Sequence, residues 1–434
     1  EKFRMAALNE LSLSTLVGRL RDGSTTAADI VEDCLARIDA REDAVGAWTY
    51  LDRETALDQA RRLDSEEPKS RLHGIPIGLK DIMDTADMPT SYGSPIYADH
   101  RPNVDAISVQ RLRAAGAVFL GKTVTTEFAS RFPGKTTNPH NAGFTPGGSS
   151  SGSAAAVADN MVPLAFGTQT GGSVIRPAAY CGIVGFKPSY DWTDFTGVKH
   201  LSSTFDTLGY YVRSLDDLPL VYDILAPEQL PGPESDPGPV PSFALCRTPA
   251  WSQAEEAAQT LVESVAERLS AAGAEVRDLD LAPPFARIYD AHTAISRFET
   301  VRHLAREADE NWDLLSASAQ SSIEFGRDIA EEKAAQARFT LDGARKDFAR
   351  LLGDDVVITL SACGEAPKGL ESTGDAVFNR FWTALYVPCL HLPVNTGPQG
   401  LPLGVTLAAR RGQEAKVVAA GRWAAQALDL PVFG

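Results

Sequence analysis

The chain has little of several patterns that would point to a membrane, a metal or an oxidising compartment. No stretch of about 18 consecutive apolar residues occurs, so we expect no transmembrane helix, and no signal peptide is visible. The five cysteines are an odd number without a CxxC spacing, which predicts free thiols in a reducing cytoplasm. None of the seven histidines pair at i and i+4. We therefore expect neither a zinc site nor any other metal or cofactor.

Basic residues are also scarce relative to acidic ones. The 41 lysines and arginines face 57 aspartates and glutamates, giving a formal net charge of −16. This balance argues against nucleic acid or an acidic membrane as a partner. It would also repel anionic substrates at long range, so any site for an anion must be built locally.

Residues 147–188 carry the most informative pattern in the chain. Two Ser/Gly clusters, at 147–153 and 168–173, flank an alanine-rich stretch at 154–158 and an apolar run at 162–166. A Gly/Ser-rich segment is more often a flexible linker than a site. Here the intervening residues instead predict a turn, a helix, a buried strand and a second turn. Such turns carry ligand-binding residues in α/β proteins, and their hydroxyls predict nucleophilic catalysis.

This segment resembles the signature of the amidase signature family, which are serine hydrolases that cleave carboxamides. The resemblance extends to other motifs in the same order along the chain, at 72–81, 114–118, 121–123, 372–375, 378–383 and 400–405. It implies an α/β fold that forms a single α/β/α sandwich with a large mixed β-sheet and a helical insertion. The whole chain, 1–434, would be one domain, with its core at about 65–225 and 355–434 and the insert at about 227–352.

The resemblance implies a catalytic triad without histidine: Ser173 as nucleophile, Ser149 as bridging serine and Lys80 as base. In the family, a cis peptide bond precedes the bridging serine. A serine hydroxyl needs a neighbouring base to become a good nucleophile, and burial can keep a lysine amine neutral for that task. Lys80 ends the apolar stretch 75–79, which predicts a buried strand.

Each triad position also has a structural interpretation. A lysine at the end of a strand is usually a surface residue, and Ser149 could instead be the N-cap of the alanine-rich helix. Ser151 or Ser153 could take that capping role and leave Ser149 free. In the resemblance, the backbone N–H groups of the second cluster form an oxyanion hole; its residues are Thr170, Gly171 and Gly172.

Three positions depart from the usual family pattern. Ser151 replaces a glycine, Gln169 replaces a common aspartate, and the arginine after the nucleophile is shifted by one residue to Arg176. Arg176 would lie on the helical face of Ser173 and could hold a substrate carboxylate in a bidentate pair. The alternative is a structural ion pair. The variant is most similar to the malonamidase-type branch, which acts on small carboxylated amides.

The rest of the chain predicts further elements by periodicity and composition. Helices are predicted at 11–21, 27–40, 214–225 and 254–269, and strands at 45–51, 356–360, 389–392 and 403–408. A Pro/Gly-rich linker is predicted at 227–241, and 287–352 is predicted to be mostly charged helix that forms a lid or a dimer face. The pocket walls are expected from 83–97 and 288–299.

Three functions stay open: an amidase for small carboxylated amides such as malonamate, an amidase for bulkier aryl or hydrophobic amides, or an amidotransferase subunit that passes ammonia to a partner. Four phenylalanines would line an apolar pocket in the second case: Phe128, Phe132, Phe298 and Phe381. Otherwise we expect a small-molecule amide as partner, a homodimer and a cytoplasmic location.

Overall fold

The computed structural model describes residues 7–226 and 239–431. Eleven strands and fourteen α-helices form within these ranges. The strands are β1 (Trp48–Leu51), β2 (Pro76–Lys80), β3 (Val118–Thr123), β4 (Leu164–Gln169), β5 (Val184–Lys187), β6 (Thr207–Val212), β7 (Phe243–Leu245), β8 (Val276–Asp278), β9 (Val356–Leu360), β10 (Cys389–Thr396) and β11 (Pro402–Ala408). The helices are α1 (Leu13–Asp22), α2 (Ala27–Val45), α3 (Arg53–Leu63), α4 (Ile107–Ala114), α5 (Ser151–Ala158), α6 (Ile175–Cys181), α7 (Leu218–Leu225), α8 (Glu256–Ala271), α9 (Arg287–His303), α10 (Ala305–Glu310), α11 (Ala317–Arg327), α12 (Glu331–Leu352), α13 (Val377–Ala384) and α14 (Glu414–Ala427).

All eleven strands join one mixed sheet in the order β1-β3-β2-β4-β6-β5-β10-β11-β9-β7-β8. Strand β2 runs parallel to both of its neighbours, β3 and β4. The middle of the sheet, from β4 through β6, β5, β10 and β11 to β9, is antiparallel. Because parallel neighbours end at the same edge of a sheet, the carboxyl ends of β2 and β4 lie side by side. This edge carries the site described below.

Side chains of β9 show how helices cover both faces of the sheet. Val356, Ile358 and Leu360 belong to a large hydrophobic cluster that also contains residues of α8 and α14. Val357, which alternates with them, belongs to a second cluster with residues of α9, α12 and α13. Successive strand residues point to opposite faces, so helices cover this part of the sheet on both sides. The α/β fold with a large mixed sheet is confirmed.

Most elements predicted from the sequence are present. The predicted strands at 356–360, 389–392 and 403–408 are β9, β10 and β11, and the helix predicted at 254–269 is α8. The strand predicted at 45–51 begins only at Trp48, because α2 continues to Val45. Most of the predicted linker, 227–238, lies outside the described residues.

The region predicted as a helical insert contains two short strands as well as α8 to α12. Strands β7 and β8 run parallel to β9 and extend the sheet at that end. Each has only three residues, which is too short for a clear alternating pattern in the sequence. No helix in the described part of the chain is both long enough and apolar enough to cross a membrane.

Candidate active site

Lys80 is the last residue of β2, and its side chain is fully buried. Its Nζ donates hydrogen bonds to Ser149 Oγ at 2.7 Å and to Thr168 Oγ1 at 2.9 Å. Thr168 lies near the end of β4, so the parallel pairing of β2 and β4 brings the two side chains together. The interpretation of Lys80 as a surface residue is therefore wrong.

Burial lowers the pKa of Lys80 well below the usual value for lysine, although the more distant charge of Asp206 opposes this shift. Within the described residues, no carboxylate lies within ion-pair distance of its Nζ. The adjacent Asp81 points elsewhere, as expected for a neighbour along an extended chain. It accepts hydrogen bonds from Ser91 and lies 3.9 Å from the buried Lys122. Lys80 is thus surrounded by neutral partners, which favours its uncharged amine.

Ser149 lies two residues before the start of α5, and the Gly148–Ser149 peptide bond is cis. The residue at the N-cap position of α5 is Ser150, which forms no side-chain cap. Its hydroxyl instead accepts from the N–H of Thr168 at 3.2 Å. The alternative that Ser149 caps α5 is therefore wrong, because its Oγ receives the Lys80 amine. The capping role suggested for Ser151 or Ser153 is wrong as well, because Ser151 Oγ donates to the Val124 carbonyl and Ser153 Oγ to that of Phe166.

The second Ser/Gly cluster forms the turn between β4 and α6. The backbone N–H groups of residues 170–173 donate to no other residue in the part of the chain that the structure describes. Their carbonyls, by contrast, are held. The carbonyl of Thr170 accepts from His292 Nε2 at 2.8 Å, and that of Gly171 accepts from Thr383 Oγ1 at 2.7 Å. Fixed peptide planes with free N–H groups are what an oxyanion hole requires.

The side chain of Gln169 holds the same turn in place. Its Oε1 accepts from the N–H groups of Val174 and Ile175 at 2.9 and 3.0 Å, and its Nε2 donates to Thr383. The amide side chain thus caps the start of α6, a role that a carboxylate could also fill. A Cβ on Gly172 would lie 2.5 Å from Asn379 Oδ1, so close packing explains why glycine stands there.

Thr170 is also held through its side chain. Its Oγ1 donates to Asp206 at 2.5 Å, and the other carboxylate oxygen of Asp206 accepts from His200 Nδ1 and from the Leu201 and Ser202 N–H groups. Asp206 was not predicted as a site residue, and His292 was predicted only as part of the wall at 288–299, without its contact to the turn. Each lies far from the signature segment in sequence, and neither belongs to a recognisable short motif.

Ser173 follows this turn and is 7 % exposed, at the wall of a cavity of about 470 Å³. Tyr211 of β6 donates to its carbonyl at 3.0 Å. Within the described residues, Ser173 Oγ forms no hydrogen bond. Lys80 and Ser149 are therefore in direct contact, whereas Ser149 and Ser173 are not hydrogen-bonded to each other.

Arg176 lies on α6 and lines the same cavity, although only 5 % of it is exposed. Its Nη2 donates to the Gly148 carbonyl at 2.6 Å and to Thr373 Oγ1 at 3.1 Å. Burial lowers the pKa of its guanidinium. No carboxylate of the described residues lies within 4 Å, so the alternative of a structural ion pair is wrong. Arg176 contacts the residue before the bridging serine, a contact that the sequence did not suggest.

The cavity is lined on one side by the turn at 170–173 and on another by α9. His292, Ser296 and Arg297 of α9 face it, in agreement with the wall predicted at 288–299. Residues 83–97 do not line it. Of the four phenylalanines predicted for an apolar pocket, only Phe132 is at the cavity. Phe298 instead packs with Ile329 and Ala334, and Phe128 and Phe381 are buried in the interior.

The remaining polar groups contribute no further candidate. All five cysteines are free, and burial raises the pKa of Cys181, whose Sγ contacts the Pro146 carbonyl. In the described ranges, no group of three or more His, Cys, Asp or Glu residues is arranged to hold a metal ion.

A serine in a cavity, a run of free backbone N–H groups and a buried lysine nearby are features of hydrolases that use a serine nucleophile.

Comparison with known proteins identifies the family. The amidase family profile matches residues 29–418, and the chain belongs to the amidase signature family. Amide hydrolysis is the chemistry of its structural neighbours. A crystallised amidase superposes with a TM-score of 0.87 at 29 % identity, over 95 % of this chain and 99 % of that one.

A second solved structure, the peptide amidase from Stenotrophomonas maltophilia, is 26 % identical with a TM-score of 0.83 and covers 97 % of each chain. Among curated relatives, the A subunit of the glutamyl-tRNA(Gln) amidotransferase of Nitratidesulfovibrio vulgaris (strain DP4) is 32 % identical over 98 % of this chain and 98 % of its own length. The protein of the same name from Salinispora tropica is 36 % identical over 70 % of this chain and 67 % of its own length.

Proposed function

We propose that this protein is an amidase that hydrolyses a small carboxamide bearing a carboxylate, such as malonamate, through an acyl-enzyme on Ser173. The observation that carries the proposal is the contact between the buried Lys80 amine and Ser149 Oγ, next to the cavity that Ser173 lines. A base without a charged partner, a bridging hydroxyl and a cavity-facing hydroxyl are the parts that a Ser-Ser-Lys triad needs.

In the proposed reaction, neutral Lys80 accepts a proton from Ser149 as Ser149 accepts one from Ser173. Ser173 Oγ then attacks the amide carbon. The C–N bond breaks as the proton returns through Ser149 to the departing nitrogen, which leaves as ammonia. Water then attacks the acyl-enzyme by the same proton path and releases the carboxylate product and free Ser173. This route needs Ser173 Oγ to rotate toward Ser149 when substrate is bound.

The N–H groups of Thr170, Gly171 and Gly172 are proposed to bind the oxyanion of both tetrahedral intermediates. The hydrogen bonds from His292 and Thr383 to the carbonyls of this turn support this role, because they fix the peptide planes before substrate arrives. Losing one oxyanion donor typically costs about 3–4 kcal/mol of transition-state stabilisation.

Arg176 is proposed to bind the substrate carboxylate, which would place the protein near the malonamidase-type branch. In support, it lines the cavity three residues after the nucleophile and has no carboxylate partner among the described residues. Among the described residues, only its Nη2 has hydrogen-bond partners; its Nε is buried without one, so Nη1 remains for a ligand. The apolar alternative for bulky aryl amides has less support, since Phe132 alone of the four predicted phenylalanines reaches the cavity.

The relatives named as amidotransferase subunits favour a second candidate, in which the chain supplies ammonia from glutamine to a partner. Glutamine carries an ammonium group as well as a carboxylate. Four arginines line the cavity against only two carboxylates, Glu371 and Asp375. This balance fits a net anionic substrate better than a zwitterion and supports the small carboxylated amide. The homodimer and the cytoplasmic location stay predictions.

The test is ammonia release by the purified chain alone from malonamate, propanamide, an aryl anilide and glutamine. We expect turnover of malonamate with the highest kcat/KM and none in the Ser173→Ala variant. Turnover of glutamine that appears only when a partner protein is added would support the amidotransferase subunit instead. Preference for the anilide would support the apolar pocket.

A further inference from the structure

Arg297 is a cation at the cavity for which the proposed chemistry has no role. It lies on α9, lines the cavity together with Ser173, and is partly buried. It forms no ion pair and no side-chain hydrogen bond within the described residues. A partly buried guanidinium usually has a carboxylate partner, because desolvating its charge is unfavourable.

The charged neighbours of Arg297 add positive charge rather than neutralise it. Burial, followed by the neighbouring charges of Arg131 and Arg380, lowers its pKa to about 10, so it remains protonated at neutral pH. Arg380 has a partner of its own, Asp375 at 3.3 Å. Arg131 has none among the described residues and is exposed at the cavity rim.

The cavity therefore has a surplus of positive charge in a strongly acidic protein. Its charged lining consists of Arg131, Arg176, Arg297, Arg380, Glu371 and Asp375, four cations and two anions, a formal excess of two positive charges. His292 adds none, since burial lowers its pKa to about 4. One substrate carboxylate would neutralise half of this excess.

Arg176 and Arg297 belong to different helices. Arg176 is on α6 and is held against the Gly148 carbonyl. Arg297 is on α9, five residues after the His292 that contacts the Thr170 carbonyl. Five residues correspond to about 7.5 Å along a helix axis. The two guanidinium groups thus approach the cavity from different elements, and neither is among the charges that shift the pKa of the other.

We propose that Arg297, assisted by Arg131, forms a second anion site in the cavity, so that the preferred substrate is a small carboxamide with two carboxylates. The inference rests on the proposed function, because it assigns a substrate class to the same site. Arg176 binds the carboxylate closer to the nucleophile, and Arg297 binds the one nearer the cavity rim. Charge complementarity between a dianion and an excess of two positive charges is its physical basis.

The test compares kcat/KM for propanamide, malonamate and 2-carbamoylbutanedioate, which carry no, one and two carboxylates. We expect wild-type protein to prefer 2-carbamoylbutanedioate. Arg297→Gln should lower kcat/KM for this substrate about ten- to a hundred-fold, since it removes a charge-assisted contact. Propanamide should be unaffected, and malonamate should lose much less than 2-carbamoylbutanedioate, because Arg297 acts on a carboxylate at Arg176 only through the field of its charge. Arg302→Gln is the matched control: Arg302 is on the same helix but is exposed, stacks on Phe298 and does not line the cavity.

The outcomes separate this inference from the function on which it rests. Wild-type protein that hydrolyses none of the three amides would contradict the proposed function itself. Activity on malonamate without any preference for the dicarboxylate would overturn only the second anion site, as would equal losses on all three substrates in Arg297→Gln.

The dependence of the wild-type kcat/KM on salt concentration gives a test without any variant. Added salt should lower kcat/KM more for 2-carbamoylbutanedioate than for malonamate, and equal slopes would contradict the second site.

Discussion

The Nζ of Lys80 lies 2.7 Å from Ser149 Oγ, although the two residues are 69 positions apart in the chain. The parallel pairing of β2 with β4 places Lys80 beside Thr168. Ser149 is held at the same edge by the Thr126 N–H, which donates to its carbonyl at 3.1 Å, and by the neighbouring Ser150, whose hydroxyl accepts from the Thr168 N–H. The second partner of the amine, Thr168, is likewise neutral. A lysine with two hydroxyl partners and no carboxylate has an environment that favours its neutral form.

The first prediction concerns the pH dependence that follows. Burial lowers the pKa of Lys80, and only its neutral amine can accept a proton. Activity should therefore be low at acidic pH and rise through this lowered pKa to a plateau below the usual pKa of lysine. The dependence of kcat/KM for malonamate on pH measures this rise. Lys80→Arg should be almost inactive, since a guanidinium stays protonated. A flat profile together with an active arginine variant would assign the base to another group.

The second prediction concerns the two serines. Ser173→Ala should abolish ammonia release, and Ser149→Ala should reduce it by orders of magnitude, because each change interrupts the proposed proton path from nucleophile to base. Ser318→Ala is the matched control, since Ser318 lines the same cavity without a proposed role. Thermal melts should be close to wild type for all three. Substantial activity in Ser173→Ala would disprove the assigned nucleophile.

The third prediction concerns His292 as a positioning residue. His292→Phe should retain the ring stacking on Phe205, at 4.3 Å between centroids, but lose the hydrogen bond to the Thr170 carbonyl. A less rigid oxyanion turn should lower kcat about tenfold or more with little change in KM. Steady-state kinetics on malonamate measures kcat and KM separately and so checks this expectation.

Glutamine at position 292 can still donate, so His292→Gln should recover much of the activity that phenylalanine loses. Since burial lowers the pKa of His292 to about 4, the variants should leave the pH profile between 5 and 8 unchanged in shape, about the range in which an unperturbed histidine would titrate. A phenylalanine variant that keeps its activity while the glutamine variant loses it would indicate that the ring packs rather than positions.

The fourth prediction concerns stability. Gln169→Met removes the acceptor for the buried N–H groups of Val174 and Ile175. Each unpaired N–H should cost about 1–3 kcal/mol of unfolding free energy, measured by urea denaturation. Gln169→Glu keeps an acceptor at the start of α6 and should lose less. A methionine variant as stable as wild type would show that the cap contributes little.

Local patterns were sufficient to predict much of this site. The apolar stretch that ends in Lys80 predicts a buried strand, and the alanine run after the first Ser/Gly cluster predicts α5. The resemblance to the amidase signature family then brings Lys80 and Ser149 into one hypothesis. The structure adds the pairing of β2 with β4, which no single segment encodes, and it shows that Ser150 and Ser153 hold β4 rather than cap α5.

The contacts that were not predicted span long sequence separations. His292 contacts a carbonyl 122 positions earlier in the chain, and Arg297 is identifiable only by its lack of a partner in the folded cavity. Helix periodicity reports which face of α9 is buried, not whether that face meets core or cavity. The strands β7 and β8 were missed for a different reason, because three residues are too few to show alternation.

The last prediction concerns Arg176, which has two tasks in the proposal. Its Nη2 holds the Gly148 carbonyl, next to Ser149, while the substrate carboxylate is proposed to use Nη1. Arg176→Lys keeps the charge but loses the planar guanidinium that can make both contacts at once. Both neutral and carboxylated amides should therefore react more slowly, because Ser149 is less well positioned. Malonamate should lose about ten- to a hundred-fold more in kcat/KM than propanamide, which is the value of one charge-assisted contact.

The comparison between substrates decides what Arg176 does. A loss in kcat that is the same for propanamide and malonamate, with KM unchanged, would assign Arg176 to positioning Ser149 alone and refute the carboxylate contact. Arg297→Gln provides the contrast, because Arg297 does not touch Gly148 and its loss should lower malonamate turnover far less than Arg176→Lys does. If Arg297→Gln rather than Arg176→Lys lowers malonamate turnover, the single carboxylate binds on α9 and the roles assigned to the two arginines are reversed.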